Sequence, residues 1–319
     1  MRPFFENNVL QQQPFKPMII VVDTTKAGSA SNTFVLPIIK DTTETVKIYW
    51  GDGTNSTGVN GNNTHVYAAS GIYTVKIESR LFGGIYFNNV GDKAKITKIA
   101  NYGQGVSRLN IGSFYGCSSL LSIAIGNIVS NGADASNQYR GCAALTTVPL
   151  FDLSSVTNAS VMFAYCAALT TVPLFNLSNC TSTGSMFSVC SSLTTVPLFD
   201  LSSVTNSTNM FSYCAALTTV PLLNLSSVTN AYAMFAYCAA LTTVPLLNLS
   251  SVTNAGNMFS GVTLTTQSYS DFLIHLATLP LQSGVSFHGG NSKYNSAAAI
   301  ARAYLISNFG WTITDGGAA

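Results

Sequence analysis

Hydrophobic positions in the middle of the chain recur with a period of 24 residues. Each unit carries Leu-x-x-Val-x-Leu-x-x-Leu, first seen from Leu145 to Leu153, and then a Met-Phe pair, first seen at Met162-Phe163. Self-similarity at this scale indicates a stacked array. A 24-residue unit is too short for a helix pair or a propeller blade. It predicts a coil in which every layer contributes one short strand and one return segment.

Cysteines follow the same period. The column comprises Cys117, Cys142, Cys166, Cys190, Cys214 and Cys238, with steps of 25 and then 24 residues. Stacked layers would place these side chains about 4.8 Å apart, where cysteine packs as a small buried hydrophobe. Cys180 takes the place of a valine in other units and is expected to be buried too. Disulfides between layers are the alternative, whereas the close Cys pairs typical of zinc sites are missing.

The outward face of the short strand is the candidate contact surface. Alternation along a strand predicts that Val148 and Leu150 point inward and that their neighbours point outward. The predicted surface consists of Thr147, Pro149, Phe151, Thr171, Pro173, Phe175, Thr195, Pro197, Phe199, Leu223 and Leu247. An exposed apolar column can be a contact surface, or another coil segment or a neighbouring subunit can cover it. Both interpretations stay open.

The cysteine, the leucine frame and the Met-Phe-x-x-Cys end of each unit resemble the leucine-rich repeats of BspA-like bacterial surface proteins over about residues 117–261. Leu153 stands where many such repeats place Asn or Cys. A ladder of asparagines is therefore expected elsewhere, with Ser182 interrupting it, at Asn158, Asn206, Asn230 and Asn254. The resemblance implies a leucine-rich-repeat solenoid over residues 101–261.

A different pattern precedes the repeats. Short β-rich runs bounded by Gly, Asn and Thr predict strands at Met18–Val22, Thr33–Ile39, Val46–Trp50 and Ile72–Ile77. Tyr49-Trp50-Gly51-Asp52-Gly53-Thr54 followed by His65-x-Tyr67-x-x-x-Gly71-x-Tyr73-x-Val75 resembles the polycystic-kidney-disease (PKD) type of Ig-like domain. The resemblance implies a β-sandwich over residues 19–100 that acts as a spacer or as an adhesion or carbohydrate-associated module.

Two residues of this motif have alternative chemical interpretations. His65 is expected to be structural and not a catalytic base, since no nucleophile is paired with it in the sequence. Asp52 lies in a tight Asp-Gly turn, and a single carboxylate falls short of the six to eight oxygens that calcium takes.

The two ends of the chain differ from the rest. Residues 1–18 carry Phe4, Phe5 and Phe15 among Gln and Pro, which predicts an arm that docks on a partner, with a frayed terminus as the alternative.

Residues 262–319 are expected to cap the repeats. One helix begins at Ser270, and a second covers Ser296–Asn308, with Ile300, Tyr304 and Leu305 on one face. The closing Gly-Trp-Thr-Ile-Thr-Asp-Gly-Gly segment is similar to those of phage-encoded and other surface repeat proteins.

The predicted fold class is therefore mainly β: an N-terminal Ig-like/PKD β-sandwich, a leucine-rich-repeat solenoid with 24-residue coils, and a helical C-terminal cap. Charge adds one feature. With 14 basic and 12 acidic residues the chain is 8% charged and carries a net charge of +2, against about 25% charged residues in ordinary domains. From Gly141 to Gly261 only Asp152 and Asp200 are charged. A nucleic-acid partner is not expected.

The sequence predicts neither an enzyme nor a cofactor site. Its three histidines lie in separate contexts, and no nucleophile elbow or phosphate loop occurs. Neither a signal-peptide pattern nor a bilayer-spanning apolar run is found, so membrane insertion is not expected.

The favoured hypothesis is a structural or adhesion protein on a tailed-phage virion surface, in capsid decoration or in the tail. It would be assembled in the host cytoplasm, with the arm docked on other virion proteins and the repeats meeting a cell-surface glycan or protein. The alternatives are a secreted bacterial surface adhesin and a spacer whose repeats bind nothing. The oligomeric state within an assembly stays open.

Overall fold

The computed structural model describes residues 16–40, 43–79, 83–103, 113–124 and 134–319. Two separate sheets lie at its N-terminal side. The strands in chain order are β1 (Met18–Asp23), β2 (Thr33–Ile39), β3 (Val46–Tyr49), β4 (Asn55–Gly58), β5 (Gly61–Val66), β6 (Ile72–Glu78), β7 (Gly84–Ile85), β8 (Ile96–Tyr102) and β9 (Ser122–Ile123). One sheet has the order β4-β3-β6-β1-β8-β9, and the other β5-β2-β7. The four strands predicted in this region are present.

Alternation of apolar residues gives each sheet a buried face. Met18, Ile20 and Val22 of β1 are buried, and so are alternate residues of β2 beginning at Phe34. These residues belong to a hydrophobic core that continues into the repeats. The continuity is also visible in the backbone, because β8 pairs in parallel with β9.

The repeats form a stack of layers built from turns. Successive layers are joined by single parallel bridges, which run from Asp134 to Asn158, Ser182, Asn206, Asn230 and Asn254. Backbone amides donate across the layers, as from Phe163 N to the Met186 carbonyl oxygen at 2.9 Å and from Phe187 N to that of Met210 at 3.0 Å. The segment from 134 to 261 holds bridges of one residue and no extended strand.

The predicted fold class is wrong in this respect. A leucine-rich-repeat solenoid would carry a continuous sheet with one strand from each layer, and the structure shows no closed solenoid of that kind. Its sheets are small and separate. The physical reason is the proline in each unit, Pro149 in the first. Proline lacks the N–H that would donate a hydrogen bond to a neighbouring strand, so a continuous sheet cannot form there.

The helical cap is a minor part of the C-terminal region. Helix α1 (Thr266–Leu276) begins four residues before the predicted start, capped by Thr265, and α2 (Ser296–Phe309) ends at Gly310, whose φ is +66°. Strands β10 (Ser286–His288) and β11 (Thr312–Thr314) pair in parallel. Phe259 N of the last layer donates to the His288 carbonyl oxygen at 2.9 Å, so a strand covers this edge.

The predicted apolar face of α2 is also wrong. Ile300 is 79% exposed and Tyr304 is exposed, whereas Leu305 and Ala298 are buried. The helix therefore meets the core through a small residue and one leucine, and much of its apolar surface faces outward.

Candidate contact surface

The phenylalanines predicted to face outward form the centre of the core. Phe151, Phe175 and Phe199 are each 1% exposed, and Leu223 and Leu247 are equally buried. Phe175 stacks on Phe199 with ring centroids 6.2 Å apart and on Phe163 at 5.8 Å, with interplanar angles of 2° and 9°. The prediction that this column is exposed is wrong.

A tight turn after Pro197, Pro221 and Pro245 explains the reversal in their layers. Phe199 N donates to the Pro197 carbonyl oxygen at 2.9 Å, and Leu223 N makes the same bond to Pro221 at 2.8 Å. A bond between residues two apart marks a γ-turn, which breaks the alternation of an extended strand. Val196 and Phe199, three residues apart, consequently both point inward.

The exposed apolar column consists of the leucines that precede the buried residues. We call it the leucine ladder: Leu150, Leu174, Leu198, Leu222 and Leu246, each 47–61% exposed. The prolines beside it are half-buried, and Thr147, Thr171 and Thr195 are exposed as predicted. Sequence reasoning missed these leucines. The signal that was available is proline directly before a pair of large apolar residues, only one of which can enter the core.

Threonine columns flank the ladder. The Thr170 hydroxyl donates to the Thr146 carbonyl oxygen at 3.2 Å, and Thr194 and Thr218 repeat the contact one layer further on at 3.4 and 3.3 Å. These contacts hold exposed methyl and hydroxyl groups in a regular array. The surface combines aliphatic and hydroxyl groups with very little charge.

An open cleft of about 650 Å³ lies at the end of the ladder, where α1 meets the last layer. Leu246 and Thr243 form one wall, and Ile274, Asp271 and His275 the other. Ser268 binds the layer directly, since Val244 N donates to its hydroxyl at 3.0 Å. The cleft thus continues the ladder onto α1.

The cysteine column lies in the core. All seven cysteines are buried free thiols. From Cys142 onward the thiols donate to a carbonyl of the preceding layer, as from Cys190 to Phe163 at 3.2 Å and from Cys238 to Phe211 at 3.1 Å. Burial raises the pKa of the Cys238 thiol to about 12 and that of Cys190 well above its usual range. Such thiols are chemically inert.

The asparagine ladder is half-buried, and Ser182 continues it. Asn158 Nδ2 donates to Asp134 Oδ2 at 3.1 Å, and Asn206 Nδ2 donates to Ser182 Oγ at 3.4 Å. Each asparagine also accepts from the amide two residues later, as Asn206 does from Thr208 at 3.1 Å. The ladder therefore shapes the turn that joins each layer to the next.

The Trp-Gly-Asp-Gly motif forms a compact aromatic cluster. His65 Nε2 lies 2.7 Å from Asp52 Oδ2, and its ring stacks on Trp50 with centroids 4.8 Å apart. The Tyr67 hydroxyl donates to the Trp50 carbonyl oxygen at 2.9 Å. Partial burial raises the pKa of Asp52, but hydrogen bonds from Thr54 and His65 outweigh it and hold the pKa at about 2. This arrangement fixes a turn.

Two further expectations concern other parts of the chain. Phe4, Phe5 and Phe15 of the predicted docking arm lie outside the described residues. Within the described ranges, no group of three or more His, Cys, Asp or Glu side chains is placed to hold a metal ion. The same residues include no helix that is long and apolar enough to cross a bilayer.

Comparison with known proteins centres on the repeats. A family described as "Mycoplasma protein of unknown function, DUF285" matches residues 133–245 and 175–272. Among solved structures, a leucine-rich repeat protein from Bacteroides ovatus aligns over 84% of this chain and 98% of its own, at 12% identity and a TM-score of 0.19, too low for an argument about fold. No curated protein matches. The two overlapping family matches both fall on the repeats.

Proposed function

We propose that this chain is a non-enzymatic surface repeat protein that attaches to cell-surface glycans through the leucine ladder and its threonine columns. The observation that carries the proposal is the ladder itself, because five leucines at one position of five successive layers are left half-exposed or more. Monomeric proteins rarely expose contiguous apolar patches without a binding role. The threonine hydroxyls beside the leucines supply polar partners for a ligand that is itself both apolar and hydroxylated.

A glycan array tests this function directly. Purified protein is compared with a variant in which Leu174, Leu198 and Leu222 are changed to serine. A matched control changes three exposed valines, Val59, Val66 and Val90, to serine. These valines lie far from the ladder in the chain. Glycan binding that falls at least tenfold in the ladder variant alone supports the proposal. Binding that is absent in all three proteins contradicts it and favours a spacer. Equal binding by all three proteins also contradicts it, because the glycan would then be bound by another surface.

We further propose that the protein is displayed on a tailed-phage virion, docked on other virion proteins by the arm that carries Phe4, Phe5 and Phe15. Two sequence features support this location: the aromatic residues of the arm, and the low charge of the repeats, which suits a rod used for display. Immunogold labelling of purified virions from a phage that encodes this chain should decorate the particle. Unlabelled particles beside a labelled host-cell surface would contradict it.

The second candidate is a secreted bacterial surface adhesin. It is favoured by one observation, the match of the repeats to a family named from Mycoplasma, which is cellular and not viral. Both candidates use the ladder in the same way and differ in the particle that carries it.

A further inference from the structure

A second column of side chains lies at the corner directly before Cys166, Cys190, Cys214 and Cys238. The corner residues are Tyr165, Val189, Tyr213 and Tyr237, with φ angles of 60–64°. The three tyrosines are 45–50% exposed. Because one backbone conformation is repeated in every layer, the rings project from equivalent points of the stack. The column is distinct from the leucine ladder and is independent of the function proposed for it.

The column is closed by stacking on both sides of Val189. Tyr213 and Tyr237 stack with centroids 4.5 Å apart and an interplanar angle of 15°. On the other side, the Arg140 guanidinium lies over the ring of Tyr115 at 4.9 Å and over that of Tyr165 at 5.5 Å. The column therefore already contains one planar cation held between two tyrosine rings.

In the layer of Val189, no planar group of the described residues lies between the tyrosine rings of the two neighbouring layers. One face of Tyr165 is turned to Arg140 and one face of Tyr213 to Tyr237, so the remaining faces look toward the layer of Val189. Two layers of about 4.8 Å place these rings roughly 9.6 Å apart, and a planar group midway would lie within the ~6 Å range of a cation–π contact with both. The short Val189 side chain forms the floor of this slot.

We propose that the slot between Tyr165 and Tyr213 binds the guanidinium group of an arginine on a partner protein. Arg140 is the internal precedent, since it fills the corresponding space between Tyr115 and Tyr165. The charged residues from Gly141 to Gly261 are the acidic Asp152 and Asp200, and the cation of Arg140 lies across the Tyr165 ring from the slot. A planar guanidinium stacks on aromatic faces, which the compact ammonium of lysine does not.

Two substitutions of Val189 distinguish an effect on binding in the slot from an effect on the fold. Val189→Tyr fills the slot with a ring, and the backbone accepts it because Tyr165 and Tyr213 already adopt this φ. Val189→Ala leaves the slot open and serves as the matched control. Both variants keep Tyr165 and Tyr213 intact.

The test is an NMR titration of the full chain with Nα-acetyl-arginine amide, followed through the tyrosine ring signals. The expected result is a saturable shift of Tyr165 and Tyr213 that is retained in Val189→Ala, is at least fivefold weaker in Val189→Tyr, and is at least fivefold weaker with Nα-acetyl-lysine amide. Equal responses to the two amides, equal responses of the two variants, or no shift at all would overturn the proposal.

Discussion

Leu174 and Phe175 are adjacent in the chain, yet Leu174 is 58% exposed and Phe175 is 1% exposed. The two side chains therefore lie on opposite sides of the layer, and the same division recurs in the neighbouring layers, at Leu150 and Phe151 and at Leu198 and Phe199. It determines which of two large apolar side chains stabilises the stack and which one is available to a ligand.

Phe175→Ala should lower the free energy of unfolding by about 3–5 kcal/mol, because it leaves a cavity between stacked rings. Leu174→Ser should change it by no more than about 0.5 kcal/mol, as surface substitutions do. Denaturant unfolding of the two variants measures both effects. A larger loss for Leu174→Ser than for Phe175→Ala would mean that the layer is oriented the other way round.

Val161→Asn should stabilise the protein by about 1 kcal/mol, because valine at positive φ is strained and asparagine tolerates this region. Val161 has a φ of 63°, and the equivalent corners in other layers hold Asn137, Asn209 and Asn257 at 55–58°. The reverse change, Asn209→Val, should cost a similar amount. Thermal unfolding of both variants gives the comparison. Shifts of the same sign would show that the corner conformation is not responsible.

The sequence predicts much of this fold and fails at identifiable points. The 24-residue period, the buried cysteines and the four N-terminal strands follow from residue spacing and alternation. The orientation of Phe151 does not, because alternation assumes an extended strand and residues 145–153 form none. Ile300 and Leu305 show the same difficulty in α2, where apolar residues are plentiful and only the position of the neighbouring core decides which of them is buried.

The seven cysteines should not react with Ellman's reagent in the folded protein at pH 8. Burial raises the thiol pKa values, to about 12 for Cys238, so the reactive thiolate is scarce and inaccessible. In denaturant all seven should react. Rapid reaction of any thiol in the folded protein would contradict the buried column. Chymotryptic mapping of the labelled peptide would identify the layer concerned, because Phe and Tyr residues separate the cysteines of successive layers.

Asp52 should make stability depend on pH in a narrow acidic range. Its pKa in the folded chain is about 2, below the unfolded value of about 3.9. The stabilisation is therefore complete above pH 4 and is lost as the pH falls toward 2. The difference in unfolding free energy between the wild type and Asp52→Asn should shrink over this range. A difference that stays constant from pH 5 to pH 2 would mean that the ionised carboxylate contributes no stability there.

Lys95→Met should destabilise the N-terminal sheets by about 3–5 kcal/mol, because it removes one partner of a buried ion pair. Lys95 Nζ lies 3.7 Å from Asp92 Oδ2 and donates to the Thr33 carbonyl oxygen at 2.7 Å, and both side chains are almost fully buried. Lys98→Met, at an exposed position of β8, is the control and should be nearly neutral. Equal denaturant midpoints for the two variants would contradict this role for Lys95.

The central claim is that the outward leucines form the binding surface of a stable layered stack. The most direct measurement is glycan-array binding of the variant with serine at Leu174, Leu198 and Leu222, made together with its unfolding free energy. We predict at least a tenfold loss of binding, with a change in stability of no more than about 1.5 kcal/mol, the sum of three surface substitutions. Binding equal to that of the wild type at unchanged stability would contradict the claim.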